Sequence, residues 1–166
     1  MKDLLIFSGA PGSGKTTIGE LLQEKLNAPL IDFGWLRQGH LNREWSNQSP
    51  AEEDMAFENL IFIVRNYLKH GYKNVILNDL REDKIIALSQ IFKDTNFVII
   101  SLIITDDEVL RKRVLGERDS GFKNAEASVE WNRKLRERET LPNEFKIDNT
   151  HNNPQETVRG ILEIIS

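Results

Sequence analysis

The chain has 166 residues, of which 39% are hydrophobic and 29% are charged, and it contains no cysteine. This composition predicts one globular domain spanning residues 1–166. The absence of cysteine excludes disulfide scaffolds, thiolate metal centres and cysteine nucleophiles. The formal net charge is −4, yet residues 111–138 hold nine Lys or Arg against five Asp or Glu. An acidic chain with one basic segment is a poor candidate for nucleic-acid binding and a better one for holding a compact anion.

Hydropathy along the chain gives no sign of a membrane segment. The longest mostly apolar run, residues 97–104, is far shorter than the roughly 20 residues that span a bilayer. The first residues lead directly into an apolar strand and lack a signal-peptide layout. We therefore expect a cytoplasmic protein that has no membrane partner.

Short apolar segments alternate with segments of helical periodicity from one end of the chain to the other. We predict strands at residues 3–8, 29–32, 73–79, 96–104 and 145–148, and helices at 15–26, 50–70, 82–92, 105–117, 126–138 and 153–166. No element is predicted between Gly34 and Pro50. Alternating strands and helices predict an α/β fold with a largely parallel sheet, whose ligands bind at the carboxyl ends of the strands.

Capping signals define where several of these helices begin and end. Capping-box spacing occurs in Ser49-Pro50-Ala51-Glu52, Thr105-Asp106-Asp107-Glu108 and Asn153-Pro154-Gln155-Glu156. Gly71 is a natural stop for the helix that begins near residue 50.

The segment after the first strand has the G-x-x-x-x-G-K-[ST] pattern of a phosphate-binding loop. Such a loop is built from glycines, which let backbone N–H groups converge, and from the start of a helix, which adds partial positive charge. The lysine can reach β- and γ-phosphates, and the following hydroxyl can ligate Mg²⁺. The loop residues, which we predict to bind ATP, are Gly9, Ala10, Pro11, Gly12, Ser13, Gly14, Lys15, Thr16 and Thr17.

Several classes of P-loop protein fit this sequence poorly. A GTPase needs an N-K-x-D segment and a D-x-x-G switch, and neither is present. A motor or an AAA-type ATPase usually needs a longer chain. The sequence instead resembles the P-loop small-molecule kinases, the group of nucleoside monophosphate kinases, shikimate kinases, gluconate kinases and chloramphenicol phosphotransferases. The resemblance rests on three segments: LLIFSGAPGSGKTTIGELLQEKL, LIITDDEVLRKRVLGERD and FKIDNTHNNPQETVRGILEII.

This resemblance implies a three-layer α/β/α fold with five parallel strands in the order 2-3-1-4-5 and a short helical lid at about residues 116–138. It also implies ATP and Mg²⁺ as cofactors. Lys15 and Asp32 would be catalytic, with Asp32 orienting or deprotonating the acceptor. Thr16 and Asp79 would hold the metal ion.

The same resemblance implies where an acceptor and the lid would contribute. Arg37 and Arg81 would bind a phosphate or carboxylate of the acceptor. Apart from the resemblance, we expect Trp35 to line an acceptor pocket, since a stacking aromatic suits a ring or sugar. Arg118 and Arg133 would be the catalytic lid arginines, which stabilise the transferring phosphoryl group, and Arg113 is a further candidate. The turn at residues 148–150 would lie near the adenine.

The acceptor itself stays open at this point. Nucleosides, nucleotides, sugar acids, shikimate-like rings and antibiotic hydroxyls all fit, and Asn78-Asp79-Leu80-Arg81 lacks the Gly and Pro of the D-G-x-P-R version found in nucleotide kinases. A regulatory or nucleic-acid-end-processing P-loop ATPase is the alternative function. Its oligonucleotide binding would depend steeply on salt.

Overall fold

The computed structural model describes residues 1–44, 46–116 and 122–166, and within them strands alternate with helices. Among the described residues, no helix combines the length and the apolar composition needed to cross a membrane. In chain order the elements are β1 (Leu4–Ser8), α1 (Lys15–Leu26), β2 (Leu30–Asp32), α2 (Phe33–Gln38), α3 (Pro50–Lys69), β3 (Val75–Asn78), α4 (Glu82–Ile91), β4 (Phe97–Ile103), α5 (Asp107–Leu115), α6 (Ala125–Glu137), β5 (Glu144–Asp148) and α7 (Pro154–Ile165).

The strands form one parallel sheet in the order β2-β3-β1-β4-β5, which confirms the predicted topology. The central strand β1 is buried at all five positions and pairs with β3 on one side and β4 on the other. Since every strand runs in the same direction, the carboxyl ends of all five meet at one edge of the sheet.

The side chains of β1 alternate between two apolar cores, one on each face of the sheet. Leu4 and Ile6 belong to the core that is covered by α3 and α4, whereas Leu5 and Phe7 belong to the core that is covered by α1 and α7. Helices on both faces of a parallel sheet form the predicted three-layer α/β/α fold.

Two local features differ from the sequence-based expectations. A helix that was not predicted, α2, follows β2 directly, and its N-cap is Asp32, whose side chain accepts a hydrogen bond from Gly34 N at 2.9 Å. Helix α5 is capped by Asp106 and not by Thr105, because the Thr105 hydroxyl bonds to Asp148 instead. The predicted caps at Ser49 and Asn153 are confirmed.

Helix α6 covers most of the segment that was predicted to form the lid. Its inner face is buried, and Asn132 on that face forms two hydrogen bonds to the backbone of Ile104, at 3.0 and 2.7 Å. Ser128, one turn earlier, is fully buried and donates to the carbonyl of Pro11. In the described structure, residues 125–137 are therefore a helix packed on β4 and on the loop after β1, while residues 117–121 lie outside the described residues.

A buried ion pair joins the end of α6 to the start of β5. The Glu144 carboxylate has no exposed side-chain surface and accepts two hydrogen bonds from Arg138, each of 2.7 Å, and one from Leu141 N. The Arg138 guanidinium also pairs with Glu82 at the start of α4. Burial pushes the pKa of Glu144 upward, but the bonds from Arg138 and the Ser101 hydroxyl outweigh burial, so the pKa is lowered.

Replacing Glu144 with glutamine should destabilise the fold by about 3 kcal/mol, because it leaves Arg138 with a largely buried charge and one partner fewer. A carboxylate whose pKa is lowered on folding stabilises above its ordinary pKa of 4.5, and this contribution is lost as the pH falls below that value. Denaturant unfolding of wild type, Glu144→Gln and the exposed control Glu163→Gln at pH 7 and pH 4 measures the loss of stability and how much of it remains at the lower pH. Equal stability of Glu144→Gln and wild type at pH 7 would contradict the prediction.

Candidate active site

One cleft of about 990 Å³ opens at the carboxyl edge of the sheet. Its walls come from the segments that follow β1, β2 and β3 and from α5, α6 and the loop after β5. The lining residues are Gly9, Pro11, Gly12, Gly14, Lys15, Thr16, Thr17, Ile18, Asp32, Phe33, Arg37, Gln38, Glu53, Asn78, Asp79, Leu80, Arg81, Lys84, Arg113, Phe122, Trp131, Asn149, Asn152 and Pro154. The cleft therefore contains most of the predicted site residues.

The loop between β1 and α1 has the conformation that its glycines allow. Gly9, Gly12 and Gly14 have φ values of 147°, 90° and 101°, a region that residues with a Cβ rarely adopt. The Lys15 ammonium donates to the carbonyls of Gly9 and Ala10 at 2.7 and 3.1 Å. Its side chain therefore folds back over the loop, and the start of α1 faces the cleft.

Ala10 and Ser13 are the two predicted loop residues that do not line the cleft. Both are fully buried. Ala10 packs in an apolar cluster with residues of α5 and α6. These two residues can contribute to a phosphate site only through their backbone.

Two carboxylates converge on the side of the cleft that faces the loop. A Cβ built on Gly34 would lie 2.6 Å from Asp79 Oδ2 and 3.0 Å from Asp32 Oδ1, so both oxygens lie close to one point. Asp79 follows β3 with a φ of 59°, a left-handed conformation that aspartate tolerates better than most residues. Glycine at position 34 thus gives the two acidic side chains room to approach each other.

The approach of these carboxylates changes the chemistry of Asp32. Burial raises the pKa of Asp32, and the negative charge of Asp79 raises it further, while hydrogen bonds from Gly34 N and Trp35 N lower it in part. A carboxylate with a raised pKa is a stronger base once it is ionised. Asp32 therefore combines the position and the basicity that accepting a proton in the cleft requires.

Arg37 and Arg81 both line the cleft but differ in how they are held. Arg37 lies 3.7 Å from Asp79 as a loose ion pair and is stacked over the ring of Phe33, and its buried Nε has no hydrogen-bond partner among the described residues. Arg81 donates to Glu53 at 2.8 Å and is more exposed. Arg37 thus has unused hydrogen-bonding capacity inside the cleft, whereas Arg81 is tied to α3.

Two other predicted residues, Trp35 and Arg133, do not line the cleft. Trp35 is 59% exposed, because the first turn of α2 buries Phe33 and leaves Trp35 on the solvent side. Arg133 lies on the exposed side of α6 and pairs with Glu130 at 2.6 Å. Arg118 lies outside the described residues.

Arg113 does line the cleft, where its guanidinium donates to the carbonyls of Asn149 and Thr150 at 3.0 and 2.8 Å. Burial lowers its pKa. This arginine holds the loop after β5, which the resemblance assigns to the adenine.

Sequence reasoning missed Asn78, which ends β3 and is 2% exposed. It lines the cleft, and its Oδ1 has no hydrogen-bond partner among the described residues. A buried polar atom without a protein partner is costly, so this oxygen is available to accept a hydrogen bond from a molecule in the cleft. Asn78 was not singled out because residues 78–81 differ as a whole from the D-G-x-P-R motif of nucleotide kinases. Its position as the last residue of a buried strand could have identified it as a cleft residue.

The described residues contain no cluster of three or more His, Cys, Asp or Glu side chains that could enclose a metal ion. Mg²⁺ is usually held by one or two carboxylates together with water and substrate phosphates, and it does not need such a cluster. The Thr16 hydroxyl and the Asp79 carboxylate, both in the cleft, are donors of the type that Mg²⁺ prefers.

Asp32→Asn should make the protein more stable at pH 7. A carboxyl whose pKa is raised on folding loses stability as the pH rises through that pKa, so ionised Asp32 destabilises the fold at neutral pH. Asparagine removes the charge and is an equally good N-cap for α2. The gain in melting temperature should shrink as the pH falls toward the ordinary aspartate value of 3.8. A lower melting temperature for Asp32→Asn at pH 7 would contradict this account.

Comparison with known proteins agrees with the geometry of the cleft. A protein-family model described as an AAA domain matches residues 5–139. Chain length therefore does not exclude that family, contrary to the sequence-based expectation. Adenylate kinase from Leptospira biflexa serovar Patoc is 31% identical over 124 residues, which cover 68% of this chain and 67% of that protein. Adenylate kinase from Nautilia profundicola is 27% identical over 143 residues, covering 76% and 73%.

Among solved structures, a gluconokinase from Sinorhizobium meliloti 1021 superposes with a TM-score of 0.69 at 16% identity, covering 99% of this chain and 91% of that chain. At that identity the likeness concerns the fold alone. The family match covers most of the chain, including the P-loop and the segments that follow β2, β3 and β4. The protein accordingly belongs to this AAA-domain family and to the P-loop small-molecule kinases.

Proposed function

We propose that this protein transfers the γ-phosphoryl group of Mg·ATP to a hydroxyl or phosphate oxygen of a small acceptor that carries an anionic group. The observation that carries the proposal is the composition of one cleft. A P-loop forms one wall, and a carboxylate pair with a loosely held arginine forms the facing wall. A nucleotide switch needs the P-loop and one carboxylate for Mg²⁺, whereas a second carboxylate close to the first suits the orientation of an acceptor.

The ATP half of the site is assigned to Gly9–Thr17. Backbone N–H groups of this loop and the start of α1 would bind the phosphates, and Lys15 would neutralise charge on the β- and γ-phosphates. Thr16 and Asp79 would hold Mg²⁺, which supplies charge neutralisation of the phosphate oxygens when it is bound. The curated relatives support a nucleotide substrate, since both are adenylate kinases.

The acceptor half is assigned to Asp32, Arg37, Asn78 and Arg81. Arg37 has a guanidinium that can bind a phosphate or carboxylate in place of its loose contact with Asp79. Asn78 Oδ1 can accept a hydrogen bond from a hydroxyl or amino group of the acceptor. Arg81 would provide a second positive charge on the solvent-exposed side of the acceptor half.

In the transfer step, an acceptor oxygen forms a bond to the γ-phosphorus while the bond from that phosphorus to the β,γ-bridging oxygen breaks, releasing ADP. Where the acceptor is a hydroxyl, its proton passes to Asp32 Oδ. Burial, the largest cause of the raised pKa of Asp32, favours this transfer. Charge on the transferring group spreads over three oxygens, so cations around the cleft lower the barrier. Arg118 and Arg133 remain proposals for that role, which would require Arg133 to leave Glu130 and reach the cleft.

ADP release from Mg·ATP should rise well above background with one acceptor pool. Nucleoside monophosphates, led by AMP, are tested first because of the curated relatives. Nucleosides, sugar acids and shikimate-type acids follow. Tight ATP binding with no stimulation by any pool would contradict the proposal and favour the nucleotide-dependent alternative. Salt-dependent oligonucleotide binding would then distinguish an end-processing enzyme.

Lys15→Ala should lower turnover at least about 100-fold, because one preorganised cation at the transferring phosphate is lost. Lys25→Ala, at the exposed far end of the same helix, is the matched control. Steady-state kinetics and melting temperatures of both variants make the comparison. A Lys15→Ala enzyme as active as Lys25→Ala would exclude the proposed phosphate site.

Arg37→Gln should raise the acceptor KM about tenfold or more while leaving the ATP KM nearly unchanged, since a charge-assisted contact to the acceptor is removed. Arg81→Gln should have a smaller effect, because Arg81 is already bonded to Glu53. Initial rates with ATP and the acceptor varied in turn give the ATP KM and the acceptor KM of each variant. An increase confined to the ATP KM would reassign Arg37 to the nucleotide half.

A further inference from the structure

Two peptide units of the P-loop are held by side chains that lie outside the loop. The carbonyl of Pro11 accepts a hydrogen bond from the Ser128 hydroxyl on α6. The carbonyl of Ser13 accepts one at 2.8 Å from Asn149 Nδ2 in the loop after β5. Both donors are at least nine-tenths buried, so water is a poor substitute for them.

These bonds fix the direction of the N–H group in each peptide unit. In a trans peptide the C=O of one residue and the N–H of the next point in opposite directions, and no described peptide bond is cis. When the Pro11 carbonyl faces Ser128, the Gly12 N–H points away from α6. When the Ser13 carbonyl faces Asn149, the Gly14 N–H points away from the loop after β5. Gly12 and Gly14 both line the cleft.

The carboxamide of Asn149 is itself held in one orientation. The Ser13 carbonyl can only accept, so the Asn149 atom that faces it must be the NH₂ group. The opposite atom, Oδ1, accepts from the buried Thr157 hydroxyl on α7 at 2.5 Å. Arg113 on α5 binds the backbone carbonyl of Asn149. The side-chain amide therefore connects the P-loop to α7, and the backbone of the same residue is held from α5.

The loop packs closely against its neighbours at two of its glycines. A Cβ on Gly14 would lie 2.7 Å from Asn149 Nδ2, and a Cβ on Gly12 would lie 2.9 Å from Val114 Cγ2 on α5. The loop thus lies in direct contact with the residues that hold its carbonyls.

We propose that Ser128 and Asn149, the latter oriented by Thr157, are positioning residues that aim the Gly12 and Gly14 N–H groups at the phosphates of a bound nucleoside di- or triphosphate. This inference rests on the proposed function, since it requires the loop to bind phosphate. It assigns Asn149 to the phosphates through Ser13, and not to the nucleotide base. Ser128 acts from α6 and Asn149 from the loop after β5, so the loop is oriented before any ligand arrives.

The test compares calorimetric affinities for ADP and adenosine, which share the base and ribose but differ in phosphates. Asn149→Asp places an oxygen against the Ser13 carbonyl, so that peptide should rotate and ADP affinity should fall about tenfold or more. Adenosine affinity should stay within about twofold of wild type, because the base contacts are not altered. Asn153→Asp is the control: it makes the same substitution at the cap of α7, where aspartate caps equally well.

A second pair of variants keeps the test valid if Asn149→Asp does not fold. Thr157→Val removes only the hydroxyl that orients Asn149 and should weaken ADP but not adenosine. Thr157→Ser keeps that hydroxyl and should bind ADP within about twofold of wild type. Melting temperatures show that each variant is folded.

Each outcome decides the proposal. Selective loss of ADP affinity in Asn149→Asp or Thr157→Val supports it. Wild-type ADP affinity in the folded variants would overturn it, and an equal loss of ADP and adenosine would assign Asn149 to the base. A wild-type chain that binds no ADP would instead remove the nucleotide site itself, and the positioning role with it.

Discussion

The structure depends on the P-loop, whose path requires residues without a Cβ at three positions. Three glycines of the P-loop have positive φ values, and at each of them a Cβ would lie within 3.0 Å of a neighbouring atom. Because the loop follows the central strand, its position fixes where α1 begins and where α5 and α6 can pack. Ser128 and Asn149 then satisfy carbonyls that would otherwise be buried without partners. The same packing that stabilises the fold therefore determines the shape of the phosphate site.

The facing wall of the cleft contains an interaction that destabilises the fold instead of stabilising it. Asp32 and Asp79 repel each other and are brought together at Gly34. The arrangement destabilises the ionised form of Asp32 and raises its basicity. This repulsion is offset in part by the hydrogen bond through which Asp32 caps α2 and by the attraction between the Arg37 guanidinium and Asp79. Such a local conflict between charges is common where a side chain must exchange a proton.

Sequence patterns predicted the five strands and the loop, because each of these depends on local periodicity or on a motif with its own backbone chemistry. The strand order came from the resemblance to the P-loop kinases. The patterns did not predict α2, a helix of six residues that is marginal by itself and forms against β2 and α3. The resemblance placed α6 within a lid at residues 116–138, and periodicity gave no sign of what the polar side chains of α6 contact. Ser128 and Asn132 are in fact bonded to backbone groups far away in the sequence, which periodicity cannot reveal. Asn78 was missed for a similar reason, since its isolation inside the cleft is visible only when the strands are assembled.

Position 32 tolerates few amino acids because two demands fall on one side chain. A helix that starts there requires a short side chain with an oxygen close to the backbone, which selects Asp, Asn, Ser or Thr. The proposed proton transfer requires a carboxylate, which selects Asp or Glu. Aspartate alone satisfies both lists. Any relative that lacks aspartate here would have to move its base to another strand or start α2 differently, so this one position separates chains that use this chemistry from chains that share only the fold.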